Sequence, residues 1–389
     1  MSRILLLAGH TIQALPVMRS LKRSGHEVVI ECETKDSYGY HSRYADVKDL
    51  KPEFDYDSPE YLDFVLGCID QYDIDILLPL FDLSAEFVSR NSIALRERVS
   101  FAAPPYGIFM NGYRKDLLME LCRQHGYPHP KSMPITPGNV AQCVAYTGFP
   151  ALIKPDITTG GRGMTLVRSA VEIERLLPGI IEGYGSCTLQ EFIPPGGRQF
   201  KAHHFRTASG RCHGSAVVEK LRYYPVTGGS SCCNRTIDSP EISRMTAEIL
   251  HRLDWQGFAD FDLIEDPRDG SLRIMEINPR FPASIKSAFR AGVDYASLYV
   301  DYCLGNPLQE YVCRSDVYLR HLGFDLLWFI KSPERFRSSP SWFRFFGREV
   351  YYQDGELLDP MPLLFGTLSG VKKMMDENFR KSKSGVTLK

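Results

Sequence analysis

The feature that most constrains this chain is a pair of apolar–acidic alternations joined by a polar turn. Residues 257–264 read Gly-Phe-Ala-Asp-Phe-Asp-Leu-Ile, and residues 272–277 read Leu-Arg-Ile-Met-Glu-Ile. Period-two alternation puts Asp260 and Asp262 on one face of a strand, and Glu276 and Asn278 on one face of the next. The link, Glu265-Asp266-Pro267-Arg268-Asp269-Gly270, is turn-forming. A hairpin in register therefore brings Asp262, Glu276 and Asn278 to one point, with Arg280 just beyond. Opposed carboxylates repel unless a cation lies between them. Two carboxylates and an amide oxygen suit Mg²⁺ bridged to phosphate, with Mn²⁺ an acceptable substitute, and Arg280 is near enough to neutralise a phosphoryl group. An ordinary half-solvated hairpin shows the same alternation, so both readings stand on this segment alone.

A second segment, residues 151–167, runs Ala-Leu-Ile-Lys-Pro-Asp-Ile-Thr-Thr-Gly-Gly-Arg-Gly-Met-Thr-Leu-Val. It reads as strand, loop, strand. Glycines at 160, 161 and 163 let backbone N–H groups approach an anion, and Lys154 adds a charge from a strand end, where partial burial is expected. The loop is neither a Walker loop nor a dinucleotide fingerprint. A plain hairpin with a mobile tip also fits it.

The N-terminal third alternates strand and helix. Ile4–Ala8 reads as a buried strand, Thr11–Ser24 as a helix ended by Gly25, and Glu27–Glu31 as a strand. Tyr61–Tyr72 follows as a helix and Ile74–Pro79 as a strand. This order implies a doubly wound parallel sheet over residues 1–105, without the glycine fingerprint of a nicotinamide-dependent oxidoreductase. Asp82 follows a strand end, where it either caps the next helix or faces a ligand. Further on, helices are expected at Leu117–His125, Val140–Thr147, Glu172–Leu177 and Ile242–Leu253, and strands at 188–193, Phe200–Phe205 and Gly214–Val218. Residues 128–134 read as an extended linker. His203 and His204 point to opposite faces of a strand, so they do not share a metal.

With 389 residues, two or three domains are expected. A formal net charge of −1 gives no pull toward nucleic acid or an acidic membrane. No apolar run reaches the ~18 residues of a membrane span. The ten cysteines are scattered without a Cys-x-x-Cys pair, which predicts reduced thiols and a cytoplasmic setting.

The ordered set of Lys115, Lys154 with its glycine loop, Gln190-Glu191-Phe192-Ile193, Asp262 and Glu276-Ile277-Asn278-Pro279-Arg280 resembles the ATP-grasp superfamily over residues 1–310. The resemblance implies an α/β domain at 1–105, then a two-lobed α+β ATP-grasp fold at 106–310, divided near 187, and a C-terminal extension at 311–389. It implies ATP and Mg²⁺ as cofactors. Lys115 and Lys154 would contact the α- and β-phosphates. Gly160, Gly161, Arg162 and Gly163 would close over them. Gln190 lies in the adenine strand, and the backbone of Glu191, Phe192 and Ile193 would take the adenine edge. Asp262, Glu276 and Asn278 would hold Mg²⁺, and Arg280 would face the γ-phosphate. The implied activity is an ADP-forming ligase that activates a small-molecule or amino-acid carboxylate as an acyl phosphate for an amine acceptor. A homodimer is compatible with it. The second reading is a regulatory nucleotide-binding protein with little turnover.

Two segments lie outside those motifs. In Glu219–Pro225, alternation would put Lys220 and Arg222 on one face, with Lys220 on phosphate and Arg222 forking onto the substrate carboxylate, and amides of 228–231 reaching the same anion. A solvated basic turn is the plainer alternative. In the C-terminal part, Phe324–Ile330 reads as a strand. The basic, aromatic stretch 331–348 is expected to pack onto the main body, with a membrane- or partner-facing surface as the alternative.

Overall fold

Three sheets, taken in chain order, form the computed structural model, which describes residues 1–158, 161–226, 229–353, 355, 356 and 358–366. The first is the parallel sheet implied by the strand–helix order. β1 (Arg3–Leu7), β2 (Glu27–Cys32), β3 (Val47–Leu50) and β4 (Ile76–Pro79) lie in the order β3-β2-β1-β4. β1 is apolar throughout because both its faces are covered. Ile4 and Leu6 pack with Leu15 and Met18 of helix Ala14–Arg23. Leu5 and Leu7 pack with Tyr61 and Val65 of helix Pro59–Gln71. Strand order reverses between β1 and β4, so the crevice at their carboxyl ends opens beside Asp82.

The second sheet contains β5 (Ser132–Ile135), β6 (Ala151–Pro155), β7 (Thr165–Val167) and β8 (Cys187–Glu191), antiparallel in the order β5-β8-β6-β7. Helices Val140–Thr147 and Ala170–Tyr184 close its core around Ile153, Leu189, Ile173 and Leu177. The stretch read as a linker thus supplies an edge strand. β8 belongs to this small lobe, so the division between lobes falls after Glu191.

The third sheet is the largest. β9 (Gln199–Arg206), β10 (Cys212–Tyr224), β11 (Ser230–Ile237), β12 (Gly257–Glu265), β13 (Leu272–Asn278), β14 (Tyr318–Arg320) and β15 (Val350–Tyr352) run in the order β13-β12-β9-β10-β11-β14-β15. On β12, Ala259, Phe261 and Leu263 face a core with Phe109, Leu118, Ile249 and Trp255. Helices Tyr106–Tyr113 and Lys115–His125 therefore share a core with this sheet, not with the small lobe alone. Phe258 on the other face joins Phe205, Phe281 and Tyr299 in the cluster that also holds Ile4 and Leu6. The N-terminal domain and the large sheet are thus one packed body. The Tyr299 hydroxyl donates to Leu77 O at 2.8 Å and accepts from Ala102 N at 2.9 Å across that boundary.

β14 and β15, from the stretch after residue 310, add two strands to the edge of the large sheet. The run read as a strand at 324–330 lies instead in helix Leu322–Lys331. Seven residues, apolar but for Asp325, do not distinguish the two periods. Helical spacing buries Asp325 and Trp328 and leaves Leu322, Leu326 and Ile330 exposed. Asp325 explains why this helix docks. Its carboxylate accepts Nε of Arg222 at 2.7 Å and Nε of Arg320 at 2.7 Å, with all three side chains buried. Asp325→Ala leaves two buried guanidinium groups without a counter-ion. It is expected to cost about 3–5 kcal/mol in urea unfolding at pH 7, whereas a surface salt bridge would cost under about 1 kcal/mol.

Candidate active site

Alternation on β12 and β9 sends Asp260, Asp262, Lys201 and His203 to the face opposite the Trp255 core. The hairpin pairs Asp262 with Glu276 and Asp260 with Asn278, the register that the sequence implies. On its other side, β12 pairs Asp262 with Lys201 and Asp260 with His203. Lys201 Nζ donates to Asp260 Oδ2 at 2.7 Å and to Asp262 Oδ2 at 2.8 Å. Lys220 Nζ, from β10, donates to Asp262 Oδ1 at 2.7 Å. Burial pushes the Asp262 carboxyl up, but Lys201 and Lys220 outweigh it and hold the group well below the usual carboxylate range. Burial lowers the Lys201 ammonium, and Asp260 and Asp262 more than restore it. His203 Nε2 is 3.3 Å from Asp260 Oδ1 without an aligned hydrogen bond. His204, on the opposite face, contacts Ser215 and Thr246.

Arg280 joins the sheet to the N-terminal domain. Its Nε donates to Asp82 Oδ2 at 3.2 Å, and its Nη2 to Asn278 Oδ1 at 3.2 Å. Asp82 is the first residue of helix Asp82–Arg90, and its carboxylate is held by this arginine. Burial disfavours the Arg280 charge, and Asp82 and Asp260 more than offset that.

The small lobe adds two lysines. Lys154, at the end of β6, is 5% exposed, deeper than a strand end suggests, and donates to Gln190 Oε1 at 3.0 Å. Gln190 in turn donates to Ser132 Oγ at 3.1 Å. Lys115 Nζ donates to Thr158 O at 3.3 Å and stands 3.9 Å from Glu276 Oε2. Burial, and then the neighbouring Lys115, lower the Lys154 ammonium to about 8, against Glu276 and Asp262. The structure therefore brings Lys115, Lys154, Lys220, Asp262, Glu276, Asn278 and Arg280 into one charged cleft.

Other expected residues are placed less simply. Gly161 and Gly163 have φ of +76° and +72°. A Cβ at Gly163 would stand 2.9 Å from Pro155 Cγ and Tyr184 Cδ2, so both torsion and space require glycine there. Arg162 is exposed between them, and Gly160 lies outside the described residues. Of the amides expected at an adenine edge, Glu191 N donates to Lys131 O and Phe192 N to Pro150 O. That leaves Ile193 N for a base. The Glu191 carboxylate is tied to Arg268 at 2.5 Å.

Arg222 requires a correction. It faces Asp325, Pro340 O and Trp328, and its fork is spent on that carboxylate. Shifts of register on either side of Arg222 break the alternation that would have set it beside Lys220. Ser230 and Ser231 belong to β11 and not to a loop, and Gly228 lies outside the described residues. Lys201 escaped the sequence reading. Its two-residue spacing from His203, on a strand beside the acidic hairpin, was the available signal.

Among the described residues no group of three or more His, Cys, Asp or Glu converges on one point. Mg²⁺ bound with nucleotide ordinarily takes one or two carboxylates, and phosphate and water supply the rest. Asp262 and Glu276 fit that pattern, and the Asn278 amide stands beside them, its nitrogen donating to Asp262 Oδ2 at 3.1 Å. Lys201 and Lys220 meanwhile provide the positive charge that the opposed carboxylates demand.

No family model matches the chain. A D-aspartate ligase of Enterococcus faecium is 24% identical over 269 residues, covering 61% of this chain and 62% of that protein. The carbamoyl phosphate synthase large chain of Methanoregula boonei is 24% identical over 238 residues, covering 59% of this chain and 22% of that one. The matches thus span less than two thirds of these relatives' own lengths. Among solved structures, the biotin carboxylase domain of Hydrogenobacter thermophilus 2-oxoglutarate carboxylase, in complex with MgADP, ADP and bicarbonate, superposes with a TM-score of 0.69. It is 15% identical and covers 82% of this chain and 73% of that one. The chain has the ATP-grasp fold. The L-amino acid ligase of Bacillus licheniformis shares it, with a TM-score of 0.61 and 16% identity over 80% of this chain and 75% of that one. In ATP-grasp terms, the charged cleft lies between the small lobe and the large sheet.

Lys154 carries a stability cost there. Its folded value of about 8 lies below the ordinary 10.5, so the buried ammonium destabilises the fold fully below about pH 8. The unfolded chain binds more protons between those values, and stability rises with pH across the window. Lys154→Met is expected to stabilise the protein by about 1–3 kcal/mol at pH 7, a gain that fades by about pH 10.5. Chemical unfolding at pH 7, 9 and 10.5 checks the sign and the window.

Proposed function

We propose that this chain is an ATP-dependent, ADP-forming ligase that activates a carboxylate as an acyl phosphate and joins it to an amine. The observation that carries this reading is the convergence of Lys115 on Glu276, with Asp262 and Lys220 in the same cleft. The relatives named D-aspartate ligase and L-amino acid ligase support the reaction class. The named relatives are all enzymes, which favours turnover over a purely regulatory role.

In this reading Lys115 and Lys154 bind the α- and β-phosphates, and Ile193 N with the walls of the small lobe takes the base. Asp262, Glu276 and Asn278 would hold Mg²⁺, which supplies charge neutralisation between phosphate oxygens when bound. The substrate carboxylate oxygen attacks the γ-phosphorus and ADP leaves. The amine nitrogen then attacks the acyl carbon, and inorganic phosphate departs. Lys220 and Arg280 lie where charge accumulates on the transferred phosphoryl group and stabilise it from fixed positions. Lys201 keeps Asp260 and Asp262 together through both steps. Arg280 is the guanidinium left to orient the carboxylate, since Arg222 is committed to Asp325.

Phosphate release is measured with ATP, Mg²⁺ and a panel of amino-acid carboxylates, aspartate included, each with and without amines. Release that requires one acid and one amine is expected. Uniformly absent release, with nucleotide still bound, would instead favour the regulatory reading. Once a substrate pair is found, Glu276→Gln should lower kcat by about 10²–10³-fold and raise the Mg²⁺ requirement. Arg222→Lys should lower thermal stability and leave the KM for the acid unchanged.

A further inference from the structure

The surface formed by residues 322–348 is unlike the rest of the chain. Phe336 is 72% exposed, Phe343 58% and Phe346 89%, and Leu326 and Ile330 of the adjoining helix are 49% and 55% exposed. These side chains are linked. Phe329 contacts Phe336 at 5.5 Å and Phe343 at 5.7 Å between ring centroids, and Arg335 Nη1 donates to Ile330 O at 3.4 Å. The same segment carries Lys331, Arg335, Arg337, Arg344 and Arg348 against two acids, Glu334 and the buried Asp325, in a chain whose formal net charge is −1. Among the described residues none of these five cations is in an ion pair with a carboxylate.

We propose that this face docks on an anionic lipid bilayer as a peripheral, reversible contact. Exposed aromatic rings with unpaired cations beside them are the combination that settles at a headgroup boundary, where rings reach the acyl region and cations meet phosphate. The geometry disfavours a protein partner that offers an anchor side chain. Rings this exposed protrude and do not line a groove, and anchor residues seek pockets. The helix beneath is fixed by the buried Asp325 cluster, and the same two arginines donate to Pro340 O at 3.0 Å and Arg344 O at 2.8 Å in the segment that carries the rings. The inference stands apart from the proposed ligase reaction and survives its failure.

The test is co-sedimentation of the whole chain with vesicles of phosphatidylglycerol and phosphatidylcholine in equal parts, beside vesicles of phosphatidylcholine alone. Binding to the mixed vesicles, released by salt, is expected, with about a tenfold lower partition onto the neutral ones. The double variant Phe336→Ser/Phe343→Ser should lower the partition by about tenfold while thermal stability is unchanged. Arg335→Gln/Arg337→Gln should weaken binding and flatten its salt dependence, and decides the matter if the aromatic variant does not fold. Absence of binding, equal binding to neutral vesicles, or wild-type binding by a folded variant overturns the proposal. Self-association without vesicles that the aromatic variant abolishes also overturns it, by assigning the face to a second copy of this chain.

Discussion

The acidic face of the large sheet depends on one ammonium group. Lys201 stands between Asp260 and Asp262, on the strand that pairs directly with theirs. Asp262 also faces Glu276 across the hairpin, an arrangement of like charges that no isolated sheet would tolerate. Lys220 and Lys115 complete the compensation from a third strand and from a helix. The cleft is thus balanced within the protein, yet its cations come from different lobes and its acids from one hairpin. Its shape is set by electrostatics acting on a β register that the apolar face of the same strands has fixed.

That register in turn rests on how the domains are joined. Phe205, Phe258 and Phe281 lie in one core with residues of β1 and helix Ala14–Arg23. Arg280 reaches across the same boundary to Asp82. The N-terminal domain is therefore part of the floor of the cleft. The small lobe has its own core of Ile153, Leu189 and Leu177, and meets the rest through contacts such as Lys115 to Thr158 O and Glu191 to Arg268.

The hairpin was legible in the sequence because strict alternation, a turn-rich link and paired acids all specify one register. The parallel sheet was legible because β1 is apolar on both faces and is followed at once by a helix. Arg222 was not legible. Alternation fails where the strand is irregular, and its counter-ion lies 103 residues further on. The helix at 322–331 was misread because a seven-residue run, apolar but for Asp325, carries no period. β14 and β15, with three residues each, are too short to signal themselves and exist because the edge of β11 receives β14 and β14 in turn receives β15. The depth of Lys154 was hidden for a related reason. A strand end looks solvated in sequence, and only the packing of two lobes buries it.

The Asp325 cluster has a consequence for the order in which this chain is made. As the polypeptide leaves the ribosome, Arg222 emerges long before the carboxylate that neutralises it, and β11 emerges before the strand that covers its edge. Until residue 325 is free, the large sheet carries an uncompensated cation and an open row of backbone donors, the combination that recruits other chains. The nascent sheet is therefore at its most vulnerable between the emergence of β11 and that of residue 325. Arg19 in the first helix waits longer still, 340 residues, for Asp359. The first helix to form is thus among the last to have its buried charge answered.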